Sequence, residues 1–357
     1  MSTYKLRAAV VGVGNIGQSA HIPAYLNSTE AELVALCDID EQRLAQVGER
    51  FGIAPEHRYT DYREMYANEN LDVVSICTPT YLHYEQTIAA LENKIHVCCE
   101  KPMAMNTQQT VEMVKKAKEA GLVLSVAFNN RYRLDSSTIK GYIEDGLFGE
   151  IYYAKAGWLR RRGNPHGWFT VKDMAGGGPL IDCGVHSLDL AHWLMGQPQP
   201  VSVLASTYCK FGNYHMEGIR QYWAMYGNKE GVFDTEDLAA ALIKFDNGAT
   251  MMFDVSWAIN GKDTGIYVQV YGDKAGANLN PLEIYGQIGN NIADIQPMLN
   301  LPEKPQEQKV FNFLEAVKGE GKLLTPGSDA IAIAQIMDAI YESGKTGKAV
   351  AIEKIEI

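Results

Sequence analysis

Positive charge, long apolar runs and ordered cysteine spacing are all scarce in this 357-residue chain. Lys and Arg number 32 against 43 Asp and Glu, for a net charge of −11. A nucleic-acid partner, which needs a concentrated basic surface, is therefore not expected. A small anionic ligand held by a local arginine cluster remains compatible with that balance. Nowhere do about 18 apolar residues run together, and Met1-Ser-Thr-Tyr-Lys-Leu-Arg7 lacks the apolar core and cleavage site of a signal peptide. The expectation is a cytoplasmic protein with no membrane partner. The six cysteines (Cys37, Cys77, Cys98, Cys99, Cys183 and Cys209) follow no regular spacing and include no C-x-x-C. That argues against a zinc knuckle or a redox pair and for buried thiols in a reducing compartment. The histidines other than His186 show no metal-ligand spacing, so no metal is expected. No internal repeat, heptad array or low-complexity tract is present. What remains is ordinary globular composition, 46% hydrophobic and 21% charged, in a chain long enough for two domains at roughly 150 residues each.

The first third alternates strands and helices. Leu6-Arg-Ala-Ala-Val-Val11 reads as a buried strand and runs into Gly12-Val-Gly14-Asn15-Ile16-Gly17, a helical stretch, and a second strand, Glu32–Cys37, ending at Asp38. A G-x-G-x-x-G motif is weak alone; between a strand and a helix it describes a dinucleotide-binding βαβ unit. Gly12 makes the tight turn, Gly14 admits the pyrophosphate, and Gly17 lets helix and strand pack closely. The phosphates then rest on free N–H groups of the helix N-terminus. Asp38, 21 residues after Gly17, is placed to accept from the adenosine ribose and to repel a 2′-phosphate, which predicts NAD over NADP. Arg43 nearby softens that preference. The alternation continues with a helix over 61–66, strand 71–77 ending at Thr78-Pro79-Thr80-Tyr-Leu-His83, and a helix over 85–91. It closes with strand 95–99 ending at Glu100-Lys101-Pro102, helix 107–120 and strand 122–127. Such alternation predicts a doubly wound parallel sheet, with ligands at the carboxyl ends of its strands. Lys101 stands at one of those ends, where it is either a solvated loop residue or a group that holds a substrate hydroxyl.

In the second half, Gly176-Gly-Gly-Pro179 leads into a helix closed by Gly196 and Pro198. Asp182, His186 and Asp189 fall at i, i+4 and i+7 and are expected on one face. Two readings stay open: a polar helix surface with a satisfied histidine, or a carboxylate and an imidazole aimed into a pocket. Upstream, strand 151–158 ends in Trp158-Leu-Arg160-Arg-Arg-Gly-Asn-Pro-His-Gly-Trp168, which reads as a loop over an active site. Its tryptophans suit stacking of sugar C–H groups and its arginines suit hydroxyls or a phosphate. Residues 201–210, 237–245, 249–257 and 266–271 read as strands, with Asp246-Asn247-Gly248 as a hairpin turn. The aromatic insertion 211–233 between the first two either lines the pocket or meets a neighbouring subunit. Helices are expected over 311–317 and 328–341, the latter capped by Gly344.

These landmarks, in order, resemble the glucose–fructose oxidoreductase/inositol dehydrogenase (Gfo/Idh/MocA) family. They are Gly12-x-Gly14-x-x-Gly17, Thr78-Pro79-x-x-x-His83, Glu100-Lys101-Pro102, Asn129-Asn130-Arg131-Tyr132, Asp182-x-x-x-His186 and Phe311-x-x-Leu314-x-Ala316. The resemblance implies an α/β architecture. An N-terminal Rossmann domain with a doubly wound parallel sheet occupies 1–128, and a C-terminal α/β domain with an open, mainly antiparallel sheet occupies 129–357. It implies NAD as cofactor, with Gly12, Gly14, Asn15, Ile16, Gly17, Asp38, Arg43, Thr78, Pro79, His83, Glu100 and Lys101 on the cofactor side. Lys101, Asp182 and His186 become the catalytic set, His186 the proton acceptor, and Arg131, Trp158, Arg160 and Trp168 join them in holding the substrate. The expected activity is NAD-dependent oxidation of a secondary hydroxyl on a sugar, sugar derivative, glycoside or cyclitol. The alternatives are a glycosidase that uses NAD transiently, or a non-enzymatic regulator that senses sugar and NAD. Exposed apolar strands predict a homodimer or homotetramer through the C-terminal sheet.

Overall fold

The computed structural model describes residues 4–212, 232–262, 264–299 and 304–357. These form two compact units. One comprises the described residues through Asn129 together with Lys304–Ile331, the other those from Asn130 through 299 together with Ala332–Glu356.

The first unit grows from strands that are apolar on both faces, as a sheet covered by helices on both sides requires. Its elements are β1 (Leu6–Val11), α1 (Ile22–Asn27), β2 (Ala31–Cys37), α2 (Glu41–Phe51), β3 (Arg58–Tyr59), α3 (Tyr62–Asn68) and β4 (Val73–Ile76). They continue with α4 (Thr80–Glu92), β5 (His96–Cys99), α5 (Thr107–Ala120) and β6 (Leu124–Val126). The six strands pair in parallel in the order β3-β2-β1-β4-β5-β6, the dinucleotide-binding arrangement. Helix ends carry local signals. Asp40 accepts from Arg43 N at 2.9 Å to start α2, which Gly52 ends at φ +75°, and Asn106 and Gly121 do the same for α5. The sequence reading passed over α2 although both of its caps are in plain view. It also began α4 at residue 85; the helix starts at Thr80, directly after Pro79.

The second unit contains α6 (Leu134–Glu144), β7 (Ile151–Leu159), α7 (Lys172–Ala175), α8 (Val185–Leu194) and β8 (Pro200–Tyr208). After them come β9 (Leu238–Phe245), β10 (Thr250–Ser256), β11 (Gly265–Gly272), β12 (Gly276–Asn278), β13 (Glu283–Ile288) and β14 (Asn291–Ile295). Most of the insertion that sequence reading left between pocket and subunit contact, including Tyr214, His215, Tyr222 and Trp223, lies outside the described residues. Asp246-Asn247-Gly248 turns β9 into β10, with Gly248 at φ +87°. The chain then passes through α9 (Pro305–Lys318), α10 (Ala330–Thr346) and β15 (Val350–Ala351). The nine-stranded order is β14-β13-β12-β11-β7-β10-β9-β8-β15, antiparallel except where β7 meets β10.

Two boundaries depart from the sequence reading. The second domain is not continuous from residue 129, because α9 joins the first unit. Val310, Phe313 and Leu314 are buried there in one cluster with Leu6, Val10, Ile22 and Tyr25. Each such side chain is worth roughly 1.5–3 kcal/mol of burial, and that packing is what assigns the helix to this sheet. Gly344 does not cap α10; it lies inside it, where a Cβ would come within 2.9 Å of Thr207 Oγ1 on β8. Gly347, at φ +68°, follows the helix instead. None of the six cysteines forms a disulfide; five are buried, and Cys209 departs from expectation by being exposed. Among the described residues no helix is long and apolar enough to cross a membrane, and no His/Cys/Asp/Glu group has a metal-binding arrangement.

Candidate active site

The glycine loop of the first unit is held by contacts that exclude side chains. Gly12 stands at φ +87°, and a Cβ there would lie 2.7 Å from the Cys77 carbonyl carbon and the Thr78 nitrogen. A Cβ on Gly17 would overlap the carbonyl oxygen of Gly12. Gly14 is different: a Cβ would meet nothing within 4 Å. The protein itself does not require glycine at that point, so the open cradle suits a dinucleotide pyrophosphate. Asn15 and Ile16 begin the helical segment, which runs through a π turn (Gly17–His21) before α1. Asn15 O accepts from Ser19 Oγ at 2.7 Å, and Ile16 packs on the core.

Asp38 ties this loop to the end of β2. Its Oδ2 accepts from Val13 N at 2.9 Å and its Oδ1 from Asp40 N at 3.0 Å, while Arg43 Nη1 lies 3.1 Å from Oδ1. Arg43 also reaches Asp40 at 3.0 Å. The carboxylate is thus both the acidic group at the β2 end and a structural clamp on the glycine loop.

At the next strand end, Thr78 Oγ1 donates to Gln86 Oε1 at 2.7 Å, and Pro79 immediately precedes α4. His83, expected on the cofactor side, lies in the interior next to this turn. It is 1% exposed, with Nδ1 2.8 Å from Pro102 O and Nε2 2.8 Å from Thr78 O. It binds two strand-end turns to each other. Glu100, also expected on the cofactor side, turns its carboxylate inward to His21 at 2.8 Å and Lys309 at 2.5 Å. Lys101 follows it, half-buried, across a cis bond to Pro102.

In the second unit the site lies at the carboxyl ends of the one parallel strand pair, β7 and β10, where ligands of α/β sheets gather. Arg160 just past β7 and Trp257 just past β10 converge on Asp182. Arg160 Nη1 donates to Asp182 Oδ2 at 3.2 Å, and Trp257 Nε1 donates to the same oxygen at 3.0 Å. The Arg160 guanidinium lies 4.9 Å from the centre of the Trp158 ring, and Trp158 meets the His186 imidazole at 6.0 Å between centroids. Trp158, Arg160, Asp182, His186 and Trp257 therefore form one cluster. Sequence reading took Trp257 for the end of a strand; nothing in periodicity marks an indole N–H as a carboxylate partner.

Asp189 does not share the face of Asp182 and His186. The helix opens with a π turn, Leu180–Gly184, whose wider winding alters the phase set by a 3.6-residue period. Asp189 is 1% exposed and forms a bidentate pair with Arg131 at 3.1 and 2.5 Å. Arg131, expected to hold substrate, is itself fully buried and ties the segment after β6 to α8 through Asp189. Trp168 stacks on Phe169 at 3.9 Å, in the turn Gly167–Thr170.

The glycines before the helix serve its anchor. A Cβ on Gly177 would overlap Tyr341 Oη, and one on Gly178 would overlap Glu236 O. Glu236 accepts from Gly178 N at 3.0 Å, Leu180 N at 3.2 Å and Tyr341 Oη at 3.0 Å, so three donors converge on one buried carboxylate. Burial nonetheless pushes its pKa up.

Comparison with known proteins agrees with this layout. Residues 6–128 match the oxidoreductase family's NAD-binding Rossmann fold, and residues 140–352 match its C-terminal alpha/beta domain. The chain is 34% identical to the D-glucoside 3-dehydrogenase of Escherichia coli (strain K12), over 99% of both chains. It is 26% identical to the levoglucosan dehydrogenase of Pseudarthrobacter phenanthrenivorans, over 95% of this chain and 96% of that one. A solved levoglucosan dehydrogenase in complex with NADH shares the fold with a TM-score of 0.84 at 24% identity, covering 99% of this chain and 100% of that one. Two matched domains and a full-length relative above 30% identity lead to one conclusion: the chain belongs to the Gfo/Idh/MocA family of oxidoreductases, with that family's NAD-binding Rossmann domain.

Proposed function

We propose that the protein oxidises a secondary hydroxyl of a sugar glycoside with NAD as acceptor. The observation that carries this reading is the cluster in which His186 stands against the Trp158 ring and Asp182 accepts from Arg160 and Trp257. The likeness to a D-glucoside 3-dehydrogenase along the whole chain supports the glycoside as substrate class. NAD, when bound, would supply the acceptor for the hydride of the carbinol carbon. Gly12, Gly14 and Gly17 shape the loop for its pyrophosphate, and Asp38, partly neutralised by Arg43, accepts from its ribose. His186 accepts the hydroxyl proton, since imidazole exchanges protons near neutrality. Asp182, fixed by Arg160 and Trp257, orients a substrate hydroxyl, and Trp158 supplies an apolar wall for sugar C–H groups. Lys101 stabilises alkoxide character as the proton leaves. The working form is a homodimer or homotetramer assembled through the outer face of the nine-stranded sheet.

The test is NADH fluorescence after mixing protein and NAD with alkyl and aryl glucosides, free aldoses, sugar phosphates and inositols. Glycosides should raise the signal, and His186→Ala should lower turnover by about 10²–10⁴ with NAD affinity retained. Substrate consumed without NADH would favour a transient oxidation that ends in glycoside cleavage. NAD bound with nothing consumed would overturn the enzymatic reading.

A further inference from the structure

Next to the Lys101 turn, the first unit buries His21, Glu100 and Lys309 at 0, 6 and 1% exposure. Glu100 Oε1 receives His21 Nε2 at 2.8 Å and Lys309 Nζ at 2.5 Å. On the far side of the imidazole, Nδ1 lies 2.8 Å from Ser75 Oγ, and Tyr25 Oη lies 2.7 Å from the same hydroxyl. Burial, helped by the Lys309 ammonium, lowers the His21 pKa to about 4, so the ring carries one proton. Burial raises that of Glu100, but Lys309 and His21 outweigh it and hold the carboxyl well below its usual range.

Those states give every hydrogen bond a direction. A carboxylate only accepts, so the imidazole proton sits on Nε2 and donates to Glu100. Nδ1 must then accept from the Ser75 hydroxyl, whose oxygen in turn accepts from Tyr25. The chain of donors ends on Glu100, and Glu100 Oε2 accepts from the backbone N–H of Lys101 at 3.3 Å. A buried ion pair is weak evidence of stabilisation in itself. This one has a specific address, the peptide nitrogen of the lysine at the strand end.

We propose that Tyr25, Ser75, His21, Glu100 and Lys309 form a positioning relay for Lys101, with Lys309 as the counter-charge on which the relay depends. Its catalytic consequence rests on the role of Lys101 in the proposed oxidation. Lys309 lies on α9, so the segment that returns to the first unit carries a functional group as well as core side chains. The other ionisable groups that the structure records around the relay, Cys77 and Cys98 near Glu100 and Tyr25 on Ser75, do not replace it. Burial pushes the Cys98 thiol up to about 12 and those of Cys77 and Tyr25 well above their ordinary values, so all three stay neutral. Without Lys309, the imidazole is the group that remains bonded to the Glu100 carboxylate to balance it, and it is then favoured to take up a proton.

Lys309→Met, Lys309→Arg and the unaltered enzyme are compared with NAD and a glucoside, by turnover, by NAD affinity and by NMR titration of the His21 ring. In the methionine variant the His21 pKa should rise above its value of about 4. Its kcat should fall about ten- to a hundredfold, as for a misplaced catalytic group, with NAD affinity kept and a new limb in the pH profile. Arginine should restore both kcat and the low pKa. A methionine variant with kcat within about twofold of the parent overturns the relay. So does a lost kcat that arginine does not restore. If the methionine variant fails to fold, Ser75→Ala is read instead. It should leave the ring proton on Nε2, where Glu100 still accepts it, and lower kcat severalfold; an unchanged kcat overturns the relay. An unaltered enzyme that turns over no glycoside defeats the oxidation reading alone; the His21 titration then decides the relay.

Discussion

Asp182 and Glu100 show how two carboxylates in one chain acquire separate tasks from their partners. Asp182 keeps a side chain 16% exposed and is fixed by one guanidinium and one indole, which suits an acceptor that meets a hydroxyl. Glu100 is compensated from within by Lys309 and His21 and works on backbone instead. The neutral His21 also has a consequence for stability. In the unfolded chain its imidazole titrates at its ordinary 6.5, in the folded protein at about 4. Between those values the unfolded state holds a proton that the native state lacks. The stabilisation is complete above 6.5 and is lost as pH falls toward 4. His83 and His96, both lowered chiefly by burial, act in the same sense. Urea midpoints at pH 7 and pH 5 should therefore converge in His21→Gln relative to the parent, by the slope of one proton. Equal slopes would mean that His21 is charged in the native state. At this scale the sequence was legible where a motif states its geometry, as Gly12 and Gly17 do. It was not legible for Arg131 and Trp257, whose partners lie 58 and 75 positions away, nor for His83, which meets the carbonyls of two separate turns.

The elements that carry the site are held in place by glycine and by π turns. Both Gly17–His21 and Leu180–Gly184 are wound as π helix at the start of a longer helix. A π turn is set by packing at its ends, and a hydrophobic pattern with a 3.6 period does not announce it. That is why the expected one-sided triplet separates, with Asp182 and His186 in the Trp158 cluster and Asp189 against Arg131. The structure identifies what approaches Gly177 and Gly178 closely, Tyr341 and Glu236. Gly177→Ala places a methyl group where Tyr341 Oη lies, so it should cost about 1–3 kcal/mol of unfolding free energy. Denaturant titration checks this, and a loss below about 0.5 kcal/mol would show that Tyr341 yields freely.

At the scale of the whole molecule, the outer face of the nine-stranded sheet asks for a partner. Tyr152, Leu204, Met252 and Tyr208 are 56, 51, 47 and 43% exposed on β7, β8, β10 and β8. Between them runs a groove lined by Lys155, Ser206, Asp254 and Tyr267. Tyr267 crosses β7 at Gly157 to donate to Asp254, and a Cβ at Gly157 would lie 2.5 Å from Asp254 Oδ1. Small and polar groups thus flatten the face while large apolar ones stand proud of it, a pattern suited to a second sheet. Sedimentation at micromolar concentration should give a dimer or tetramer, and Leu204→Glu with Met252→Lys should shift it to monomer. A monomeric parent protein would remove the assembly claim.

Taken alone, the amino-acid order determined what depends on neighbours in the chain. Strand and helix alternation, the glycine turn, the helix caps and the Asp182-x-x-x-His186 spacing are all local, because backbone propensity and side-chain period act over a few residues. The tertiary structure decided what depends on which surfaces meet. α9 covers the first sheet rather than continuing the second domain because three of its side chains complete that core. Lys309 travels with it to Glu100, a meeting across 209 positions of chain that no periodicity encodes. Amphipathic faces specify that they must be covered; only the packed molecule specifies by what.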